Sequence, residues 1–203
     1  MRQLAIECAS EACSVALFDG GELAAHHHQV LGRGHAERLI PIIAALPDKG
    51  KASRILVSRG PGSFTGVRIG LAAARALGIA WNAHVLGYPT LALVAAAAQS
   101  RHGETSVSVA MRGGHGEIFQ QDFSAAGLPD HALQSLSPQS AAARAAHPLI
   151  AGTMAAELLT ARGHGDAVET HPDARHVLAL SPDLLTADLT PIYGRAPDAR
   201  PAA

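Results

Sequence analysis

Apolar positions fall in short runs separated by turn residues from the start of the chain. Residues 4–8 (LAIEC) and 13–18 (CSVALF) read as strands around a short turn at 9–12. Asp19-Gly20-Gly21 is a hairpin signal, because glycine accepts positive φ, and it leads into a third strand at 22–28. Extended backbone there would point His26, His27 and His28 alternately to opposite faces. Residues 35–46 place Leu39, Ile40, Ile43 and Leu46 at helical spacing. Pro41 lies inside that helix, where it removes one backbone donor and predicts a kink or a lost bond. A buried strand at 54–58 precedes the turn Gly60-Pro61-Gly62, and Ser63 or Thr65 can cap a helix running to about residue 82. Another strand at 84–88 leads to Thr90, a candidate cap for an alanine-rich helix ending near residue 100.

After Arg101-His102-Gly103 the pattern restarts. Strands at 105–111 and 117–123 are joined through Gly113-Gly114-His115-Gly116, and a helix at 138–146 precedes a strand at 149–151. Residues 152–161 and 173–185 are expected to be helical, and the tail from 188 extended or disordered. This order predicts an α/β protein with mixed sheets and covering helices. The expected units are a first lobe at 1–102, a shortened second lobe at 103–172, and a C-terminal helix and tail at 173–203.

Composition narrows the function classes. With 203 residues, 48% of them hydrophobic, the chain can bury one sizeable core or two small lobes. A net charge of −1 supplies no global basic field for holding a polyanion, so stand-alone tRNA binding is disfavoured. The first ten residues are too polar for a signal peptide, and the least charged stretch, 69–100, is broken by Arg75, Asn82 and His84. A cytoplasmic protein without membrane contact is expected. Cys8 and Cys13 are too few for a disulfide framework and read as small core residues.

The segment Arg59 to Gly70, RGPGSFTGVRIG, is the sharpest chemical feature. A glycine-rich turn at a helix N-terminus can cradle an anion on backbone N–H groups. It lacks the Gly-Lys-Ser/Thr of a P-loop and the third glycine of the dinucleotide fingerprint. Gly60, Gly62, Ser63 and Thr65 therefore offer either an anion contact or a tight turn that packs helix on strand. Arg68 carries a planar fork suited to an acidic group or a phosphate, at a helix end where a cation gains nothing from the dipole. Gly66, Gly70, Ala74 and Gly78 recur every four residues as a smooth ridge, fit either for packing on the sheet or for the helix of another chain. No two of the 12 histidines stand three or four positions apart, so no helical metal pair is expected, and no Gly-x-Ser-x-Gly marks a serine nucleophile. Glu7, an acid inside an apolar strand, is expected to face a cleft or to pair with a base.

The run Gly60 to Gly70 closely resembles the signature of the TsaB family, the YeaZ-like, glycoprotease-like group. The resemblance extends to Leu4-Ala5-Ile6-Glu7-Cys8-Ala9-Ser10, Cys13-Ser14-Val15-Ala16 and His35-Ala36-Glu37-Arg38-Leu39-Ile40-Pro41. It thins to Arg112, Glu117-Ile118-Phe119 and Pro191-Ile192-Tyr193-Gly194-Arg195. It implies a two-lobed actin/Hsp70-like fold. It also implies a non-catalytic scaffold role beside TsaD and TsaE homologues in transferring threonylcarbamoyl to the adenosine next to the tRNA anticodon. ATP would be used by the complex, tRNA would be met only through it, and this chain would hold no cofactor or metal of its own. The resemblance also implies dimerisation through the helices at 35–46 and 64–82, with Leu39, Ile40, Ile43, Leu46, Gly66, Gly70, Ala74 and Gly78 as interface candidates. The chain departs from the family pattern at Glu7-Cys8, where Asp-Thr is common, and at Ala110-Met111-Arg112, where Asp-Ala-Arg is common. An autonomous ATP-dependent transferase or metallopeptidase of the actin-like superfamily is the competing reading, and a phosphate-binding regulatory domain a third.

Overall fold

The computed structural model describes residues 1–194. Arg195, with which the tail motif ends, and the residues after it lie outside that range. The first lobe contains β1 (Gln3–Glu7), β2 (Ala12–Asp19), β3 (Glu22–Val30), α1 (His35–Ala44), β4 (Arg54–Ser58), α2 (Phe64–Trp81), β5 (His84–Tyr88) and α3 (Thr90–His102). The second contains β6 (Val107–Arg112), β7 (Ile118–Phe123), β8 (Gln134–Leu136), α4 (Pro138–Arg144), β9 (Leu149–Ala151), α5 (Ala155–Arg162) and β10 (Asp166–Val168).

Each lobe is built on a five-stranded sheet, ordered β3-β2-β1-β4-β5 in the first and β10-β9-β6-β7-β8 in the second. Read from the other edge, the second is the first repeated: its leading strand pairs antiparallel with the next and parallel with the fourth. The two halves thus share one topology without a visible sequence repeat, and this is the duplicated, two-lobed actin-like fold. The second lobe keeps a full complement of strands; it is short because β8, β9 and β10 have only three residues each.

The layers follow from where apolar surface is available. α1 and α2 cover the outer face of the first sheet, and α4 and α5 the outer face of the second. Between the sheets lies α3, buried at every position from Thr90 to Ala98. A helix apolar all round must be covered all round. Leu91, Leu93 and Val94 share one core with Ala5 and Leu56 of the first sheet and Val107 and Phe123 of the second.

Several expectations are corrected here. Thr90 does not cap α3; Pro89 precedes the helix, and the Thr90 hydroxyl lies 2.6 Å from that of Ser58. The expected helix at 173–185 is two short 3₁₀ turns, Ala174–Ala179 and Pro182–Leu184. The first of these lies in the core between the sheets rather than in a separate tail unit. Asp173 anchors it: the carboxylate accepts from Arg175 (2.8 Å) and the Ser14 hydroxyl (3.3 Å), and lies 2.9 Å from the His26 ring. Burial alone would raise this carboxyl, but the Arg175 and His26 interactions win and hold it at about 2.

The chain then straps back across the first lobe. Thr186 pairs with Gly87 on the edge strand β5, and the Ile192 N–H donates to the Arg59 carbonyl at 2.7 Å. Arg59 donates to the Thr190 carbonyl and pairs with Asp188, while Arg75 donates to the Leu189 carbonyl. Residues 188–194 are thus tied to the first lobe by hydrogen bonds, though none of them is fully buried.

Candidate functional site

A cavity of about 410 Å³ lies between the lobes. Its walls are the β1–β2 turn (Ala9, Ser10, Glu11), the Pro61 to Phe64 segment, the β6–β7 turn (Arg112, Gly113, Gly114), and Phe119 and Thr153. Glu11 and Arg112 approach to 3.9 Å across it, with both side chains largely in solvent. Such a pair in water contributes little and leaves the lobes held mainly by their shared core.

The glycine-rich turn is locked to the sheet. A Cβ at Gly62 would lie 1.8 Å from the Ala9 carbonyl oxygen, and one at Gly66 would lie 2.0 Å from that of Cys8. The Ser63 N–H donates to the Ala9 carbonyl at 2.6 Å, and Ser63 Oγ, the N-cap of α2, accepts from Gly66 N–H at 3.2 Å. The Gly60 N–H donates to the Ser58 hydroxyl. The amides of Gly60, Ser63 and Gly66 are therefore occupied within the chain, which favours the packing reading of this turn over the phosphate cradle. Thr65 is exposed in the first turn of α2.

The same geometry answers the question of the ridge. Gly70 faces Cys8, Val57 and Ile6, and Gly78 faces Val85, so the small residues let α2 lie close on its own sheet. Gly66, Gly70, Ala74 and Gly78 are all buried. Leu39, Ile43 and Leu46 belong to the same outer core. Of the eight interface candidates only Ile40 is exposed, at 49%. The large apolar residue that the sequence reading overlooked on this face is Ile79, 85% exposed on α2.

Among the described residues Arg68 reaches neither Glu7 nor another acid. Its guanidinium lies 3.5 Å from the centroid of the Phe64 ring and donates to the Tyr193 hydroxyl at 3.1 Å. Phe64 and Tyr193 are themselves 5.5 Å apart, so strap and helix meet through this cluster, with Phe64 also lining the cavity. Cation–π stacking explains an arginine where the helix dipole opposes one. Tyr193 in the tail motif was the available signal, though nothing local reveals the fold-back.

Glu7 is wholly buried, and its partners are neutral: the Ala9 N–H at 2.7 Å, the Tyr88 hydroxyl at 3.5 Å, and the Ser58 hydroxyl. Burial pushes this carboxyl up to about 7, against those hydrogen bonds. The expectation that Glu7 faces a cleft or pairs with a base is thus replaced by a protonatable acid buried under the turn.

Among the described residues no group of three or more His, Cys, Asp or Glu side chains could hold a metal ion. No helix among them is long and apolar enough to cross a membrane.

Comparison with known proteins agrees with this architecture. The family described as "TsaD: tRNA N6-adenosine threonylcarbamoyltransferase" matches residues 25–136. The TsaB protein of Escherichia coli K12, named for tRNA threonylcarbamoyladenosine biosynthesis, is 36% identical over 128 residues, covering 61% of this chain and 55% of the relative. The Bacillus subtilis TsaB is 31% identical over 124 residues, covering 59% and 53%. The matches thus span about half the length of these curated relatives. The solved structure of YeaZ from Pseudomonas aeruginosa superposes with a TM-score of 0.78 at 28% identity, covering 95% of this chain and 99% of that one. The glycine-locked turn, the duplicated sheets and these matches converge: the chain belongs to the TsaB family, within the wider group described by the TsaD model.

Proposed function

We propose that this chain is a non-catalytic partner subunit in threonylcarbamoyl transfer to the adenosine next to the tRNA anticodon, working with TsaD and TsaE homologues. The supporting observation is the interlobe cavity. The amide of Ser63, which lines it, and those of Gly60 and Gly66 on either side of the turn already serve the chain's own packing. Amides engaged in this way cannot turn toward charge developing on a substrate. ATP then belongs to the assembled complex, and tRNA is met through it.

The outer faces of α1 and α2 carry the docking role, with Ile40 and Ile79 as apolar anchors and the same face serving a second copy when the chain is alone. The free edge of the Arg68 guanidinium, beside Phe64, offers donors to an acidic group of the partner. The test is capture of a TsaD homologue by the purified chain. Ile79→Asp should lower capture at least tenfold, about 1.4 kcal/mol, with the circular dichroism spectrum unchanged. Arg68→Ala should weaken it less, and Arg68→Lys should restore only part. Undiminished capture by the Ile79 variant would move the interface elsewhere. ATP hydrolysis by the chain alone would favour the autonomous enzyme instead.

A further inference from the structure

Two sulfurs under the cavity wall are placed to react with each other. Cys8 Sγ and Cys13 Sγ lie 3.8 Å apart, both free and buried. The β1–β2 ladder pairs Glu7 with Ser14, so the next step of the register sets Cys8 opposite Cys13. Facing residues of an antiparallel pair have Cα atoms about 4.5–5.5 Å apart, inside the span of about 4.4–6.8 Å that a disulfide bridges. Cys8 leads directly into Ala9, Ser10 and Glu11, the turn that lines the cavity. The backbone of Cys8 has no slack on its other side, because its carbonyl is held against Gly66 of α2.

We infer that Cys8 and Cys13 form a reversible disulfide when the protein meets a small peroxide, and that closing this bond shifts the Ala9 to Glu11 turn and reshapes the cavity between the lobes. The hydrogen bond from the Cys8 thiol lowers the Cys13 thiol below its ordinary range, whereas the same bond, with burial, raises Cys8. Cys13 is therefore the attacking sulfur. Its thiolate attacks one peroxide oxygen, the O–O bond breaks, and the departing hydroxide takes up the thiol proton as water. Cys8 Sγ then attacks the resulting Cys13 sulfenic acid. The S–O bond breaks, and the second hydroxide leaves as water with the Cys8 proton. Two thiols lose two electrons in all, and one peroxide becomes two waters. An S–S bond of about 2 Å is much shorter than the present 3.8 Å; rotation about the Cα–Cβ bonds closes part of that gap and adjustment of the strand ends closes the rest. With Cys8 pinned at Gly66, the movement falls on the turn.

The experiment treats the reduced, full-length chain with hydrogen peroxide under native conditions. Quenching, denaturation and alkylation follow, and the intact mass is read. The expected result is a monomer lighter by two hydrogens that takes up no alkylating agent, yields a linked peptide joining Cys8 and Cys13, and regains both alkylation sites after dithiothreitol. Cys8→Ala and Cys13→Ala should each fail to form the linked monomer, and Cys8→Ala, which also loses the hydrogen bond that lowers Cys13, should oxidise more slowly than the parent. In the oxidised parent the amide resonances of Ala9, Ser10 and Glu11 should move. Two thiols still open to alkylation, oxygen added to separate sulfurs without a link, or links only between chains would overturn the disulfide. A linked protein with those amide resonances unmoved would overturn the reshaping of the cavity.

Discussion

Gly66→Ala should destabilise the protein by about 3 kcal/mol or more, a fall of about 10 °C in melting temperature, although alanine is the better helix former by about 1 kcal/mol. The reason is the Cβ position, 2.0 Å from the Cys8 carbonyl oxygen. A backbone oxygen just past the end of the central strand β1 cannot swing aside as a side-chain tip can. Moving α2 outward to make room would break the Ser63 N–H bond to the Ala9 carbonyl and expose Val67 and Leu71, both buried beneath the helix. Gly70→Ala provides the internal control. Its Cβ would meet Cys8, Val57 and Ile6 at 3.6–3.8 Å, which is ordinary contact, so this variant should be neutral or more stable by a few tenths to about 1 kcal/mol. Thermal melts of both variants check the pair. Equal losses would mean that helix–sheet distance does not set the cost. A mild Gly66→Ala would mean that α2 is free to lift off the sheet.

Glu7 should make the protein less stable as pH rises through the range from 4.5 to about 7. The folded state holds the proton on this carboxyl up to about 7, whereas an unperturbed glutamate releases it near 4.5. Between these values the native state binds more protons than the unfolded chain, so stability falls with rising pH. It levels off above the folded value, where both states are ionised. The shift corresponds to about 3 kcal/mol. Glu7→Gln cannot ionise and should remove that slope, so the difference between variant and parent should grow across the range and then stay constant. Urea unfolding at a series of pH values measures it. A constant difference from pH 4 to 8 would show that the carboxyl titrates in the fold as it does in the unfolded chain.

The legibility of the fold depended on local chemistry. Strands bounded by turn residues on both sides, such as β4, β5 and β9, could be read from the sequence to the residue. β8 and β10 could not, because three residues are too few to show alternation and their partners come from distant segments. The segment after Asp173 carries apolar residues at helix-like spacing, yet its anchor, Ser14, lies at the other end of the chain. The glycine ridge was visible as a stripe, but a stripe does not say whether a sheet or a partner fills it; the Cys8 carbonyl decides that. Arg68 sits where the dipole of its helix opposes a cation. Its true neighbours, Phe64 and Tyr193, meet only through the returning strap. Glu7 was flagged as a buried acid, but its donors are a backbone amide and two hydroxyls, none of which carries a charge to look for.

The most direct test of the proposed role is a reconstituted modification reaction containing tRNA, threonine, bicarbonate, ATP and the enzymes that supply the threonylcarbamoyl donor. TsaD and TsaE homologues are included, and the chain is present or omitted. Threonylcarbamoyladenosine in digested tRNA is quantified by mass spectrometry. Robust modification only when this chain joins the TsaD and TsaE homologues, and none when it is supplied without them, is the predicted result. Full modification without the chain, or turnover by the chain without those homologues, would contradict it.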